Sequence, residues 1–378
     1  MVDSRPVAAG VRLGKPGAFC HSRAIHRRLR GLVQQIASVQ ILRALAALLV
    51  AYGHAVHEAG RVAGLKGGQF SAPGQFLSGV GVDLFFAISG FVMVLSSLRL
   101  YGAGDGRWQF LKRRLARIVP IYWLVTAIFL LGQALTGVAA RDIVFSAGEI
   151  LQSLLFIPFE RADLKLIQPV YSLGWTLNYE MFFYLLFALL MAATAAATVG
   201  RVALILIAVV IAGLVLNPTA PPLRFWSHPI VLEFVLGMGI GLLFLKGVRL
   251  SPVLGAGLAL AGAMAFPVLN RDGFLPTDGW RLLMAGVPMA LVLAGCALGF
   301  PGAGPPRRGP LVQLGDASYA LYLFHPMAIR ALGLVALGKG LIGGWGLVIA
   351  ALLASAVVSV VIYRLFERPL TRWLQGGR

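Results

Sequence analysis

Arg43 and His54 stand eleven residues apart in the stretch QILRALAALLVAYGHAVHEA, residues 40–59, whose middle from Ala44 to Gly53 is apolar. Along an α-helix, eleven residues advance about 16 Å and complete three revolutions plus about 20°, so both side chains face one groove at different depths. Imidazole takes and returns a proton near neutral pH. Guanidinium grips phosphate through two parallel hydrogen bonds. Glu58 follows His54 by four residues and can reach it on a helix, fixing a tautomer or stabilising imidazolium. His57 falls on another face and suits the membrane interface. Taken alone, Arg43 reads better as a basic anchor snorkelling to the headgroups.

It does not stand alone. FLKRRLARIVPIYW carries Lys112, Arg113, Arg114 and Arg117 ahead of a third apolar run, and Arg114 and Arg117, three apart, lie near one face of a helix start. A positive-inside stop accounts for this basic group as well. Together, however, the arginines and the histidine describe a ligand with an anionic head and a thin arm, the shape of acyl-coenzyme A. Charges within a membrane cost about 2.5–3.5 kcal/mol each, so every one is a candidate. His54, Asp83 in GVGVDLFFAISGF, Glu180 in SLGWTLNYEMFFY, Glu233 in HPIVLEFVLGMG and His325 in SYALYLFHP all fall toward one leaflet. Asp83 serves equally as a helix cap, and Glu233 reads as structural, paired to His228 or Arg224. His325 precedes Pro326 and can satisfy a carbonyl freed by it. Asp316 looks like a cap. Glu180, two turns in, is the hardest to set aside.

These residues need elements that cross a bilayer. Of 378 residues 58% are hydrophobic and 12% charged, too little charge to cover a soluble domain of this size. Apolar runs recur continuously from Ser38 to Phe366, which predicts an all-α polytopic integral membrane protein rather than a β-barrel. Ten spans are expected, roughly at 38–57, 79–98, 118–137, 172–199, 201–216, 228–246, 251–269, 281–300, 311–332 and 341–366. EILQSLLFIPF, residues 149–159, is too short to span and reads as interfacial or re-entrant. With both termini cytoplasmic, 22 Lys and Arg face the cytosol against 10 outside, Arg43 standing at the edge. The net charge of +19 then follows from topology rather than from nucleic acid. Residues 1–37 form a basic arm without a signal-peptide core, suited to anionic headgroups unless an upstream start codon is mis-assigned. Residues 38–368 form the membrane domain and 369–378 a cytoplasmic tail. Cys20 and Cys296 have no metal spacing, and no metal site is expected. GMGIG, residues 237–241, lacks a preceding strand and reads as close helix packing.

In order along the chain, QILRALAALLVAYGHA, GVGVDLFFAISGFVM, FLKRRLARIVPIYWL, SLGWTLNYEMFFYLLF, LEFVLGMGIG and LGDASYALYLFHP resemble the membrane-bound acyltransferase family 3, most closely its exopolysaccharide and O-antigen O-acetyltransferases, over essentially all of 38–370. The resemblance implies that Arg43 and His54 are essential and that Arg114 and Arg117 form the Arg-x-x-Arg motif attributed to acyl-CoA. It also implies that Asp83 and Glu180 match acids on the second helix and in the W-x-x-x-x-E segment. Some members append an SGNH esterase-like domain. None follows here, so the acceptor is expected to meet the membrane domain itself or to be brought by a partner.

The expected activity is transfer of an acyl group, acetyl first, from cytosolic acyl-CoA to a hydroxyl of an extracytoplasmic or lipid-linked glycan at the inner membrane. Polysaccharide assembly proteins are the natural partners, and no permanently bound cofactor is expected. Arg43, Arg113, Arg114 and Arg117 are assigned to the donor's phosphates, and His54 to base or nucleophile. Glu58 or Glu180 would orient it, and Asp83 completes the catalytic set. A polytopic transporter or flippase of a polysaccharide intermediate is the alternative, as is a lipid or macrolide acceptor; inverted repeats, which would favour transport, are not visible.

Overall fold

The computed structural model describes residues 37–72, 77–136, 145–269, 279–301, 309–340 and 344–376; the basic arm, save Ala37, lies outside them. Every regular element among these residues is helical. Among the described residues, nine helices are long and apolar enough to cross a membrane, and a shorter apolar helix, Pro229–Leu245, lies where the sixth span is expected. The chain is a multi-pass α-helical membrane protein.

The first helix, α1 (Ala37–Leu65), runs unbroken through Arg43 and His54. It packs against α2 (Leu77–Ser96), α11 (Pro310–Asp316), α12 (Ser318–Gly338) and α13 (Trp345–Ile362). Ala44, Ala46, Ala47, Ala51, Ala55 and Ala59 are fully buried along it. Small side chains let neighbouring backbones close on a helix that has no hydrophobic drive to associate inside lipid. The outward faces of the bundle carry Leu204, Leu214, Leu254, Leu353 and Val357, all exposed as lipid requires.

Several boundaries depart from the sequence reading. The third helix, α3, begins at Gly106, not near 118, and continues to Thr136. The basic run ahead of the expected third span is therefore helical, since Lys and Arg are good helix formers and no proline interrupts the helix before Pro120. The long segment 172–199 is cut into a 3-10 turn (Ser172–Gly174), α5 (Trp175–Leu190) and the start of α6 (Ala195–Leu216). Thr194 makes the cut, its side chain capping the Ala197 N–H at 3.1 Å. The segment 311–332 divides likewise at Ala317 into α11 and α12. Residues 147–154 form α4, closed by a Ser146–Glu149 capping box and too short to span, as read from the sequence. The link onward to α5 is pinned by Arg161 paired with Asp163 at 2.5 Å and by Tyr171 donating to the Leu323 carbonyl at 2.5 Å. That guanidinium, by its hydrogen bond, holds the Asp163 carboxyl below its usual range. α7 (Pro221–Trp226) lies in the connection to the short apolar helix, whose regular part is α8 (Leu232–Leu245). After α9 (Pro252–Leu269), the chain makes a π turn (Leu282–Gly286) into α10 (Val287–Gly299). A second π turn (Tyr363–Glu367) joins α13 to α14 (Arg368–Leu374), so the expected tail begins as helix.

The GMGIG stretch lies on α8, and its glycines are not equivalent. A Cβ on Gly237 would drive into the Ala87 carbonyl of α2, whereas one on Gly239 would meet open space. Gly90 on α2 faces Phe234 as tightly from the other side. Gly237→Ala is expected to lower the thermal midpoint in detergent, by an overpacking cost of about 1–3 kcal/mol. Gly239→Ala is expected to leave the midpoint unchanged or to raise it, alanine being the better helix former by about 1 kcal/mol.

Candidate active site

A cavity, partly open to its surroundings, lies between α1, α2, α3, α5 and α12. Arg43 enters it from α1, Arg114 and Arg117 from α3, and Glu180 from α5; Phe85 and Tyr322 stand on its wall. The helical course of α3 places Arg114 and Arg117 on one face at i and i+3. By the same geometry Arg113 turns outward. It is exposed, bonds Gln109 Oε1 at 3.0 Å and does not line the cavity, contrary to its expected place with the others.

The three inward guanidiniums are differently engaged. Arg114 donates to Ser96 Oγ at 2.7 Å and lies 5.7 Å from the Phe110 ring centroid. Arg43 reaches Gln40 Oε1 at 3.3 Å. Arg117 forms no hydrogen bond with another described residue and is balanced only through space by Glu180, Glu367 and Asp316. Those acids also lie within electrostatic reach of Arg43. Ser89 on α2 donates to Glu180 Oε1 at 2.6 Å, fixing that carboxylate at the cavity wall.

His54 lies outside this cavity. The expectation that it shares one groove with Arg43 is corrected to a chain of rings. Phe85 and Tyr322, both on the cavity wall, meet edge to face with centroids 6.1 Å apart. Tyr322 is 6.3 Å from His325, and His325 is 5.0 Å from His54. The Tyr322 hydroxyl is fully used, donating to the Leu173 carbonyl at 3.0 Å and accepting from Thr176 at 2.9 Å. His54 itself is exposed.

Glu58 does not hold His54. Its carboxylate accepts from Arg61 at 2.7 and 2.5 Å and meets Arg330 at 3.4 Å, since a guanidinium outbids an imidazole for an anion. The side chain packs against Gly333, where an added Cβ would push the carboxylate aside. Asp83 is neither a cap nor part of the cavity. Fully buried, it receives Arg281 bidentately at 2.8 and 3.1 Å. Glu233 is not paired with Arg224, which bonds Glu160 at 2.7 Å instead. It is buried beside Asp83 and Arg281, where no donor reaches it as a carboxylate and only a proton shared with Asp83 would bond the two acids.

Sequence reasoning passed over Glu367, Ser89 and Arg281. Glu367 was the most visible of these, a lone acid between Arg364 and Arg368. Its burial follows from the π turn, which adds a residue to the last helical stretch.

A family model described as an acyltransferase domain matches residues 36–364. The chain is 36% identical over 306 residues to the exopolysaccharide production protein ExoZ of Rhizobium meliloti (strain 1021), covering 78% of this chain and 90% of that protein. It is 29% identical over 353 residues to the acyltransferase MdmB of Streptomyces mycarofaciens, covering 80% and 83%. No solved structure shows significant similarity.

Arg281→Met is expected to destabilise by about 3–5 kcal/mol, because Asp83 and Glu233 are left buried without a cation. The loss is read as a drop in thermal midpoint in detergent, and Arg281→Lys should restore part of it.

Proposed function

This chain belongs to the acyltransferase family as a multi-pass membrane O-acyltransferase, and from that premise we propose that it carries an acetyl group from cytosolic acyl-CoA to a glycan hydroxyl. The acceptor in this reading is an extracytoplasmic or lipid-linked intermediate of surface polysaccharide, in line with the name of the Rhizobium relative. The membrane is the inner membrane, and both ends of the chain face the cytosol. The observation that carries the proposal is the cavity lined by Arg43, Arg114 and Arg117, from which Tyr322 and His325 lead to His54.

Arg117, without a hydrogen bond of its own among the described residues, supplies the least committed cation for the donor's phosphates. Arg43 and Arg114 would add to it by exchanging their present partners. The thin arm of the donor would then run past Phe85 and Tyr322 toward the histidines, which requires those rings to part. At that end the acceptor oxygen attacks the thioester carbonyl, the carbon–sulfur bond breaks, and the proton leaving the hydroxyl passes through imidazole to the departing thiolate. His54 serves either as that base or as the first acceptor of the acyl group. Glu180, fixed by Ser89, sits among the arginines and keeps them from repelling one another when no donor is present. Asp83 belongs to the framework, and so does Glu58.

His54→Ala is expected to fold, to keep the KM for acetyl-CoA, and to lose about 100- to 10,000-fold in kcat, the span of general-base catalysis. Full activity in that variant removes His54 from the mechanism. Arg117→Ala is expected to raise the donor KM about tenfold while kcat holds, which is the loss of one charge-assisted hydrogen bond of about 1.5 kcal/mol. Labelled acetyl-CoA supplied without acceptor separates the two routes: retained label means an acyl-histidine, and none means direct transfer. Mass spectrometry of the cell's polysaccharide, with and without the gene, identifies the modified sugar; identical acylation in both overturns the proposed acceptor class.

A further inference from the structure

His325 has a nitrogen that no structural duty accounts for. It lies on α12, one turn beyond Tyr322, and is 1% exposed. Its Nδ1 stands 3.0 Å from the Leu321 carbonyl. A carbonyl oxygen only accepts, so in the neutral ring Nδ1 carries the proton and Nε2 is left as a bare lone pair. That Nε2 is buried and has no hydrogen-bond partner among the described residues. Satisfying a carbonyl near Pro326 explains one nitrogen and leaves the other idle. A buried acceptor without a donor is unfavourable in an apolar interior.

The ring that faces it is His54, with centroids 5.0 Å apart and planes inclined at 54°. That separation is near what an in-line N–H···N hydrogen bond between two imidazoles spans, so a bond between them needs only that His325 Nε2 and a His54 ring nitrogen be turned to face one another. Glu58, the nearest acid along α1, does not compete for this place, because it is taken by Arg61 and Arg330.

We propose that His325 is a positioning residue for His54, its Nε2 accepting a hydrogen bond from one ring N–H of His54 and so leaving the other His54 nitrogen as a lone pair turned toward the reacting hydroxyl or thioester. The arrangement is the usual base-and-orienter pair, with a neutral imidazole in the orienting place. Leu321 fixes the tautomer of His325, and His325 fixes that of His54. The catalytic part of this inference rests on the proposed role of His54. The tautomer relay does not, and it can be read without turnover.

The test uses the full chain in detergent, as wild type and as His325→Ala and His325→Gln. With histidine labelled by nitrogen-15 and the His54 signals assigned through His54→Gln, the wild type should show one fixed His54 tautomer and His325→Ala an averaged one. His325→Gln, whose amide oxygen can accept, should recover part of the wild-type pattern. In turnover, His325→Ala should lose about 100-fold in kcat, the low end of what a general base supplies, with the acetyl-CoA KM unchanged, and His325→Gln should regain part of the rate. Identical His54 signals in wild type and His325→Ala overturn the inference. So does an unchanged kcat, or a loss in His325→Ala that His325→Gln does not relieve at all. Should His325→Ala not fold, the His54 signals of His325→Gln decide alone, an averaged tautomer counting against the proposal. A wild type that consumes no acyl-CoA yet shows the relay would refute the proposed function and leave the positioning role standing.

Discussion

Placing ionised side chains among hydrocarbon is the constraint from which the rest of this architecture follows. A guanidinium inside a bundle must find counter-charge or reach water. Here each solution is visible in a different place. Arg281 is consumed by Asp83, and Arg61 and Arg330 converge on Glu58. Arg43, Arg114 and Arg117 instead border an open volume, with Glu180 on the same wall and Glu367 and Asp316 within electrostatic reach of Arg43 and Arg117. The first two arrangements are closed on themselves. The third has room for an anion, and that separates a framework from a site.

Helix α1 can serve as the central post because more than half of its buried residues are alanine or glycine. Other helices bring residues distant in sequence to its two polar stations. At the Arg43 station, contributions arrive from α2, α3, α5 and α12. At the His54 station, α12 supplies His325. Because α12 borders both, its Tyr322–His325 turn spans the gap between them. The rigidity of that turn depends on Tyr171 and Thr176, which hold it by hydrogen bonds to the Leu323 carbonyl and the Tyr322 hydroxyl.

The all-helical class, the approximate spans and the identity of the interesting charges were legible in the sequence, because hydropathy and helical periodicity are local properties. Arg43, Arg114, Arg117 and Glu180 do meet at one cavity. What a one-dimensional reading could not resolve is competition between partners. Glu58 lies four residues from His54 and three from Arg61, and spacing alone does not say that the guanidinium wins. Asp83 and Arg281 are 198 residues apart, and nothing local announces their pairing. Arg113 and Arg114 differ by one residue, yet only a helix beginning at Gly106 turns one inward and the other out. Glu367 escaped for a related reason, since a π turn shifts the register on which a periodicity argument depends.

The Phe85–Tyr322 contact has a consequence for bioenergetics. Two polar stations in one membrane domain would, if joined by a wetted channel, short-circuit the proton gradient of the cell that made it. Phe85 and Tyr322 present chiefly ring surface beside the cavity, and the one hydroxyl they carry is already engaged by Leu173 and Thr176, a surface that holds water poorly.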